Sequence, residues 1–234
     1  MLVPMLRAFA LVPMLRAIAL APMLRAIALV AVFAAPAYAD DLEALTKGPT
    51  CDAARPSCIG LALHIAVGDS GPVATADWIT AQLAGANRHF GAIDAGYQIV
   101  SVDALPASAT RVENRKERDS LGAQVKGTVI HVFVTGQLDD IDIAGQVAYG
   151  VTWRRGNTKF IIISTQAWER TLAHELGHVF GLPHSTYAIS IMNKTDRTEP
   201  PIEKRTFADE ELKVMRPRLE AMLRDKVLAN LAKL

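Results

Sequence analysis

The sequence has almost no excess of basic residues: 25 Lys and Arg stand against 24 Asp and Glu, a net of +1. Residues 1–39 hold Arg7, Arg16 and Arg25 and no acid, so the remainder has 25 − 3 = 22 basic residues against 24 acidic, a net of −2. A nucleic-acid or anionic-membrane binder needs a basic surplus, so neither partner is expected. No uninterrupted apolar run is long enough to span a bilayer, because Arg16 and Arg25 break every longer window near the start. Cysteine is scarce, with Cys51 and Cys58 the only two. An Asp-rich calcium loop of the EF-hand or repeat type is also missing.

What is present divides into two parts. Half of the 234 residues are apolar, and 32 of those apolar residues fall within residues 1–39. The remaining 195 residues are roughly 44% apolar, which is ordinary for a globular domain and too much for a disordered or collagen-like chain. That length suffices for one domain with a sizeable core.

A nine-residue unit opens the chain three times, as LVPMLRAFA, LVPMLRAIA and LAPMLRAIA. Pro4, Pro13 and Pro22 break each copy, and the unit is too short for a solenoid. The third copy runs into an apolar stretch and then Ala37-Tyr38-Ala39, the layout of a secretory signal peptide. Cleavage after Ala39 leaves Asp40 first, with no stable membrane anchor. The destination is secreted or periplasmic. In an exported chain Cys51 and Cys58 are expected to form a disulfide, contributing roughly 2–2.5 kcal/mol by loop closure. The expected organisation is a signal over 1–39, an N-terminal segment with the disulfide loop over 40–60, and a single domain over 61–234.

Within that domain Leu61–Val67 reads as a buried strand ended by a Gly-Asp-Ser-Gly turn. Thr75 caps a helix with Trp78, Ile79, Leu83 and Ala86 on one face. Strands follow at Tyr97–Leu105, Thr128–Thr135, Val147–Trp153 and Lys159–Ser164. A charge-balanced stretch over 107–126 reads as a helical turn and solvated loop. Ser164 or Thr165 is expected to cap a helix running to about Phe180, ended by Gly181. A long C-terminal helix opens at Thr206–Asp209, is expected to kink at Pro217, and packs Leu212, Met215, Leu219, Met222 and Leu223 on the core. The expected fold class is α/β (α+β): an about five-stranded twisted mixed sheet with a central site helix.

That helix contains His174-Glu175-Leu-Gly-His178, followed by Gly181 and His184, an HExxHxxGxxH string. His174 and His178, four apart, leave one helix face and can bind one Zn²⁺. Glu175 points beside the metal, where it can hold an activated water. Gly181 allows a sharp turn that brings His184 back as a third nitrogen ligand. Three protein ligands leave a coordination position open, as catalytic zinc requires. HExxH alone arises by chance in roughly 0.6% of shuffled sequences of this composition, the longer string in on the order of one in 10⁵. His64, His89 and His131 are expected to be structural. Asp139, Asp140 and Asp142 read as a solvated turn, with a calcium site as the alternative.

The string HELGHVFGLPHS resembles the metzincin clan of zinc peptidases, and its matrixin-like members most. The resemblance covers most of the chain after the signal. It implies a Met-turn beneath the metal, for which Met192 in Ser190-Ile-Met192 is the candidate. Asn193 follows, where typical matrixins have Pro and astacin-like members Tyr, so no tyrosine is assigned a catalytic role. The resemblance also implies an extended substrate paired with an edge strand, here Gly150, Val151, Thr152 and Trp153. Specificity would depend on a pocket shaped by the loop after Met192. Cys58 in Arg55-Pro-Ser-Cys58 only loosely matches the latency motif of matrixins, so the Cys51–Cys58 bridge is the preferred reading.

The expectation is therefore a monomeric, exported, zinc-dependent endopeptidase acting on peptide or protein substrates, with zinc-activated water and Glu175 as general base. Its alternatives are a zinc-holding regulatory protein without turnover and a zinc amidase acting on cell-wall peptides.

Overall fold

The computed structural model describes residues 43–48, 50–52 and 54–233. The signal peptide expected over residues 1–39, and its cleavage point before Asp40, lie outside the described residues. In chain order the strands are β1 (Ser57–Gly68), β2 (Gly71–Pro72), β3 (Ala95–Leu105), β4 (Arg111–Val112), β5 (Ile130–Thr135), β6 (Gln137–Leu138), β7 (Gly150–Arg155) and β8 (Thr158–Ser164). The helices are α1 (Ala76–Phe90), α2 (Arg115–Leu121), α3 (Thr171–Val179) and α4 (Asp209–Arg224).

The main sheet is mixed. β3, β1, β5 and β8 lie side by side and parallel, β7 closes one edge antiparallel to β8, and β2 folds back on the end of β1. The central strands β1, β5 and β8 are buried on both faces, which is why β8 reads as the unbroken run Phe160–Ile163. Its alternate side chains serve two cores. Ile161 and Ile163 face α1, α3 and α4 together with Leu61, Leu63, Ile65, Val132 and Val134. Phe160 and Ile162 face the other way, with Phe133, Leu138 and Trp153. A bridge joins Cys51 to Cys58 across 5.7 Å between Cα atoms.

β1 begins at Ser57, four residues before the apolar run that starts at Leu61. Its opening residues pair with Ala95–Tyr97 through backbone, which side-chain periodicity does not register. Thr75 caps α1, its Oγ1 accepting from the Trp78 N–H at 3.2 Å. β7 starts at Gly150, not Val147, and runs on to Arg155. The turn into β8 is the pair Gly156-Asn157, with Gly156 at φ 58°. The last helix starts at Asp209. Glu211 accepts from the Ala208 N–H at 2.8 Å, so half of a capping box is made there, Ala208 having no side-chain acceptor. The helix continues through Pro217 as one element, with Met215 and Leu219 buried and Leu212, Met222 and Leu223 packed on the core.

Candidate metal centre and active site

α3 begins at Thr171, later than the cap-type residues Ser164 and Thr165 suggest. Ser164 is the last residue of β8, and its hydroxyl accepts from the Gln166 N–H in the turn that follows. The helix N-terminus is satisfied from another element. Gln82 of α1 accepts from the Leu172 N–H at 3.1 Å and donates to the Trp168 carbonyl at 2.9 Å. At the other end the Gly181 N–H bonds to the His178 carbonyl and the Leu182 N–H to the Gly177 carbonyl, with Gly181 at φ 94°. This left-handed turn reverses the chain and returns His184 to the helix.

His174, His178 and His184 converge, their nearest ligand atoms all within 4.8 Å of one another. Two of the rings are oriented by backbone. His174 Nδ1 donates to the Ile191 carbonyl at 2.8 Å, and His178 Nδ1 to the Leu182 carbonyl at 2.7 Å. A neutral imidazole with its proton fixed on Nδ1 presents a lone pair on Nε2, which is the form a metal takes. Burial lowers the pKa of all three, His174 to about 4, and the neighbouring rings lower His174 further against the opposing Ile191 bond. The donor set of three neutral imidazoles therefore fits zinc.

Met192 is fully buried under this helix. A Cβ on Gly177 would stand 2.7 Å from the Met192 Sδ, so the absence of a side chain there lets the 190–192 segment approach α3. That segment carries the Ile191 carbonyl that orients His174. It is anchored by Ser190, whose hydroxyl lies 2.7 Å from both carboxylate oxygens of the buried Glu211 and accepts from the Met192 N–H at 2.8 Å. Arg197 holds the loop that follows, donating to the carbonyls of Ala188, Ser190, Asn193 and Thr195.

Glu175 is 4% exposed and lies against the edge strand. Thr152 Oγ1 is 3.0 Å from Glu175 Oε2 and 2.7 Å from its backbone carbonyl. A Cβ on Gly150 would meet Glu175 Cγ and Oε1 at 3.0 Å, so only a glycine there lets the carboxylate lie against β7. Burial raises the Glu175 pKa to about 7, opposed in part by hydrogen bonds from Thr152. A carboxyl near neutrality can both take and return a proton.

The edge-strand residues divide by face. Gly150 and Thr152 face Glu175, whereas Trp153 packs into the second core and donates its indole N–H to Asp119 at 2.8 Å. Lys159, opposite Arg154 in the ladder, has its Nζ 3.5 Å from the His178 carbonyl. Its pKa is lowered by burial and by the charges of Arg218 and Arg154. His64 and His131 are buried and stacked, with Nε2 of one 2.8 Å from Nδ1 of the other, and His89 is buried beside Thr206 and Phe207. Asp139 is bound by Arg111 and Gln137, and Asp140 accepts the N–H groups of Asp142 and Ile143, an Asx turn. Tyr187 is 43% exposed.

The contacts that sequence reasoning missed are Thr152 on Glu175, Gln82 on α3, the Ser190–Glu211 pair and the Arg197 clasp. Thr152 carried a partial signal as a polar residue within the expected edge strand. The others join residues that no local motif links.

No family model matches the sequence, and no curated protein matches it. Solved structures similar to the fold include an archaemetzincin from Methanopyrus kandleri. It is 17% identical, with a TM-score of 0.48, and the match covers 71% of this chain and 98% of that one. Metalloproteinase-II from Bacteroides fragilis is 14% identical with a TM-score of 0.48, over 76% of this chain and 60% of that one. Mature mirolysin from Tannerella forsythia is 12% identical with a TM-score of 0.43, over 71% and 90%.

Proposed function

We propose that this chain is an exported zinc-dependent endopeptidase. The observation that carries the reading is the convergence of three imidazoles, two of them oriented by backbone carbonyls, beside a buried glutamate and against an edge strand of the sheet. His174, His178 and His184 would hold the zinc. When bound there, zinc supplies Lewis acidity that polarises the scissile carbonyl and acidifies a water.

The chain's own residues do the rest. Glu175 accepts the proton of the attacking water and delivers it to the departing amine. Thr152 holds the carboxylate in place and tempers its basicity. Burial of Glu175 keeps bulk water from competing for the proton. The backbone of Gly150–Trp153 lies on an edge strand that no other described strand covers, and a peptide adding to it as a further strand would be drawn straight across Glu175. Met192 and the Ile191 carbonyl keep the first imidazole turned toward the metal. The N-terminal layout supports export, and the substrate class is peptide or protein. No calcium is needed for any of these roles.

The test is a zinc determination on the purified protein, with cleavage of a diverse peptide library by wild type and Glu175→Gln. One equivalent of zinc with Glu175-dependent cleavage is expected. A full zinc complement without Glu175-dependent cleavage would instead favour a zinc-holding regulatory protein. N-terminal sequencing of the exported form should begin at Asp40.

A further inference from the structure

A cavity of about 480 Å³ opens where β7 turns into β8, lined by Lys126, Arg154, Lys159, Arg218, Met222 and Asp225 among others. Its charge is one-sided. Four cations face it, and its acid, Asp225, is already paired with Arg224 at 3.0 Å. Among the described residues none of the four cations forms an ion pair. Arg154 and Lys159 stand directly opposite each other across the antiparallel ladder, and like charges in that relation are destabilising. Arg218 of α4 brings a third charge to the same wall.

The cavity is in register with the active site. Side chains alternate along a strand, so Gly150, Thr152 and Arg154 share the face of β7 that carries Glu175. Residues two apart on a strand are about 6.6 Å apart, which puts Arg154 one repeat beyond Thr152. Lys159 reaches the carbonyl of His178, so the cavity also abuts the end of the helix that carries His174 and His178. A peptide laid along β7 with its reacting bond at Glu175 would present a side chain to this cavity two to four residues away.

We propose that this pocket is a subsite for a carboxylate side chain of the substrate, making the protein selective for acidic peptides. The inference rests on the peptidase reading and names the substrate class of the same site. A carboxylate entering the pocket forms charge-assisted hydrogen bonds with the Arg154 and Arg218 guanidiniums and relieves the repulsion between Arg154 and Lys159.

The test uses peptides, amidated and with a free C-terminus in parallel, that differ only in carrying Asp, Asn or Lys at each position two to four residues from the cleaved bond, on either side. Wild type should cleave one Asp peptide about tenfold faster in kcat/KM than its Asn counterpart, less so in high salt. Arg218→Glu and Arg154→Glu should each shift the preference toward Lys. The milder Arg218→Gln should bring the Asp-to-Asn ratio close to one, and serves if the charge reversals do not fold. No Asp preference at any position, or a preference that all three variants leave intact, would overturn the proposal. A preference seen only for peptides with a free C-terminus would overturn the side-chain assignment, since the terminal carboxylate would then be the ligand.

Binding of the same Asp and Asn peptides to Glu175→Gln, read by fluorescence anisotropy, separates the two levels. Tighter binding of Asp with no cleavage by wild type would sink the peptidase reading and keep the pocket. Equal binding with normal cleavage would sink the pocket alone.

Discussion

Thr152 Oγ1 sits 3.0 Å from Glu175 Oε2, joining the edge strand to the carboxylate on the helix below it. The bond holds the ionised form down in pKa while burial pushes it up to about 7. Thr152→Val removes the donor at nearly constant volume. The acid limb of the kcat/KM profile should then move to higher pH by roughly half to one unit. A pH profile measured at fixed zinc checks this. An unmoved limb would mean that the reacting carboxylate does not feel the bond.

Glu175 also weakens the metal-free fold above neutral pH. Its folded pKa of about 7 lies above its ordinary 4.5, so the folded chain binds the extra proton between those values. The stability this represents is fully present below pH 4.5 and is lost as pH rises through 7. In chelator at pH 8, Glu175→Gln should be more stable than wild type, with a ceiling of about 3 kcal/mol. The two proteins should converge near pH 4. Urea unfolding at the two pH values reads the difference directly.

Ser190→Ala leaves the buried Glu211 carboxylate with the Ala208 N–H and no hydroxyl donor. The expected cost is about 1–3 kcal/mol, seen as a lowered Tm. Because Ile191 follows Ser190 and orients His174, zinc affinity should fall as well. A competition titration with a chromophoric chelator checks the second effect. A lower Tm with unchanged zinc affinity would show that the anchor supports the fold alone.

Gly177→Ala puts a methyl group 2.7 Å from the Met192 sulfur and 3.1 Å from the Phe207 ring. The thioether can yield in part, so the expected destabilisation is about 1–3 kcal/mol. Thermal melts of Gly177→Ala and of Gly177→Ala with Met192→Ala should show partial recovery in the double variant. The recovery identifies Met192 as the clashing neighbour.

The residues that converge at the centre were legible because a helix imposes fixed spacing. His174 and His178 share a face by helical geometry, and Gly181 marks the turn that brings back His184. The positions of β1, β5 and β8 along the chain were legible because these strands are apolar on both faces. The start of α3 was not, because Ser164 and Thr165 have the chemistry of caps but belong to the end of β8 and its turn. The acceptor that starts the helix is Gln82, ninety residues away in sequence. The cluster of Lys126, Arg154, Lys159 and Arg218 was equally hidden. Its members are scattered along a chain whose total charge is nearly zero, and only the fold gathers them.

The link from Gln82 to Leu172 has a consequence for when the metal site comes into being. At nine residues α3 is shorter than the roughly 12–15 at which an isolated helix becomes even marginally stable in water. A peptide cut from this region would carry all three histidines without the spacing that makes them chelate. The start of α3 takes its acceptor from α1, so the convergence of the ligands depends on α1 packed in place. On the zinc reading proposed above, metal affinity therefore reports on the finished core and not on the sequence string alone.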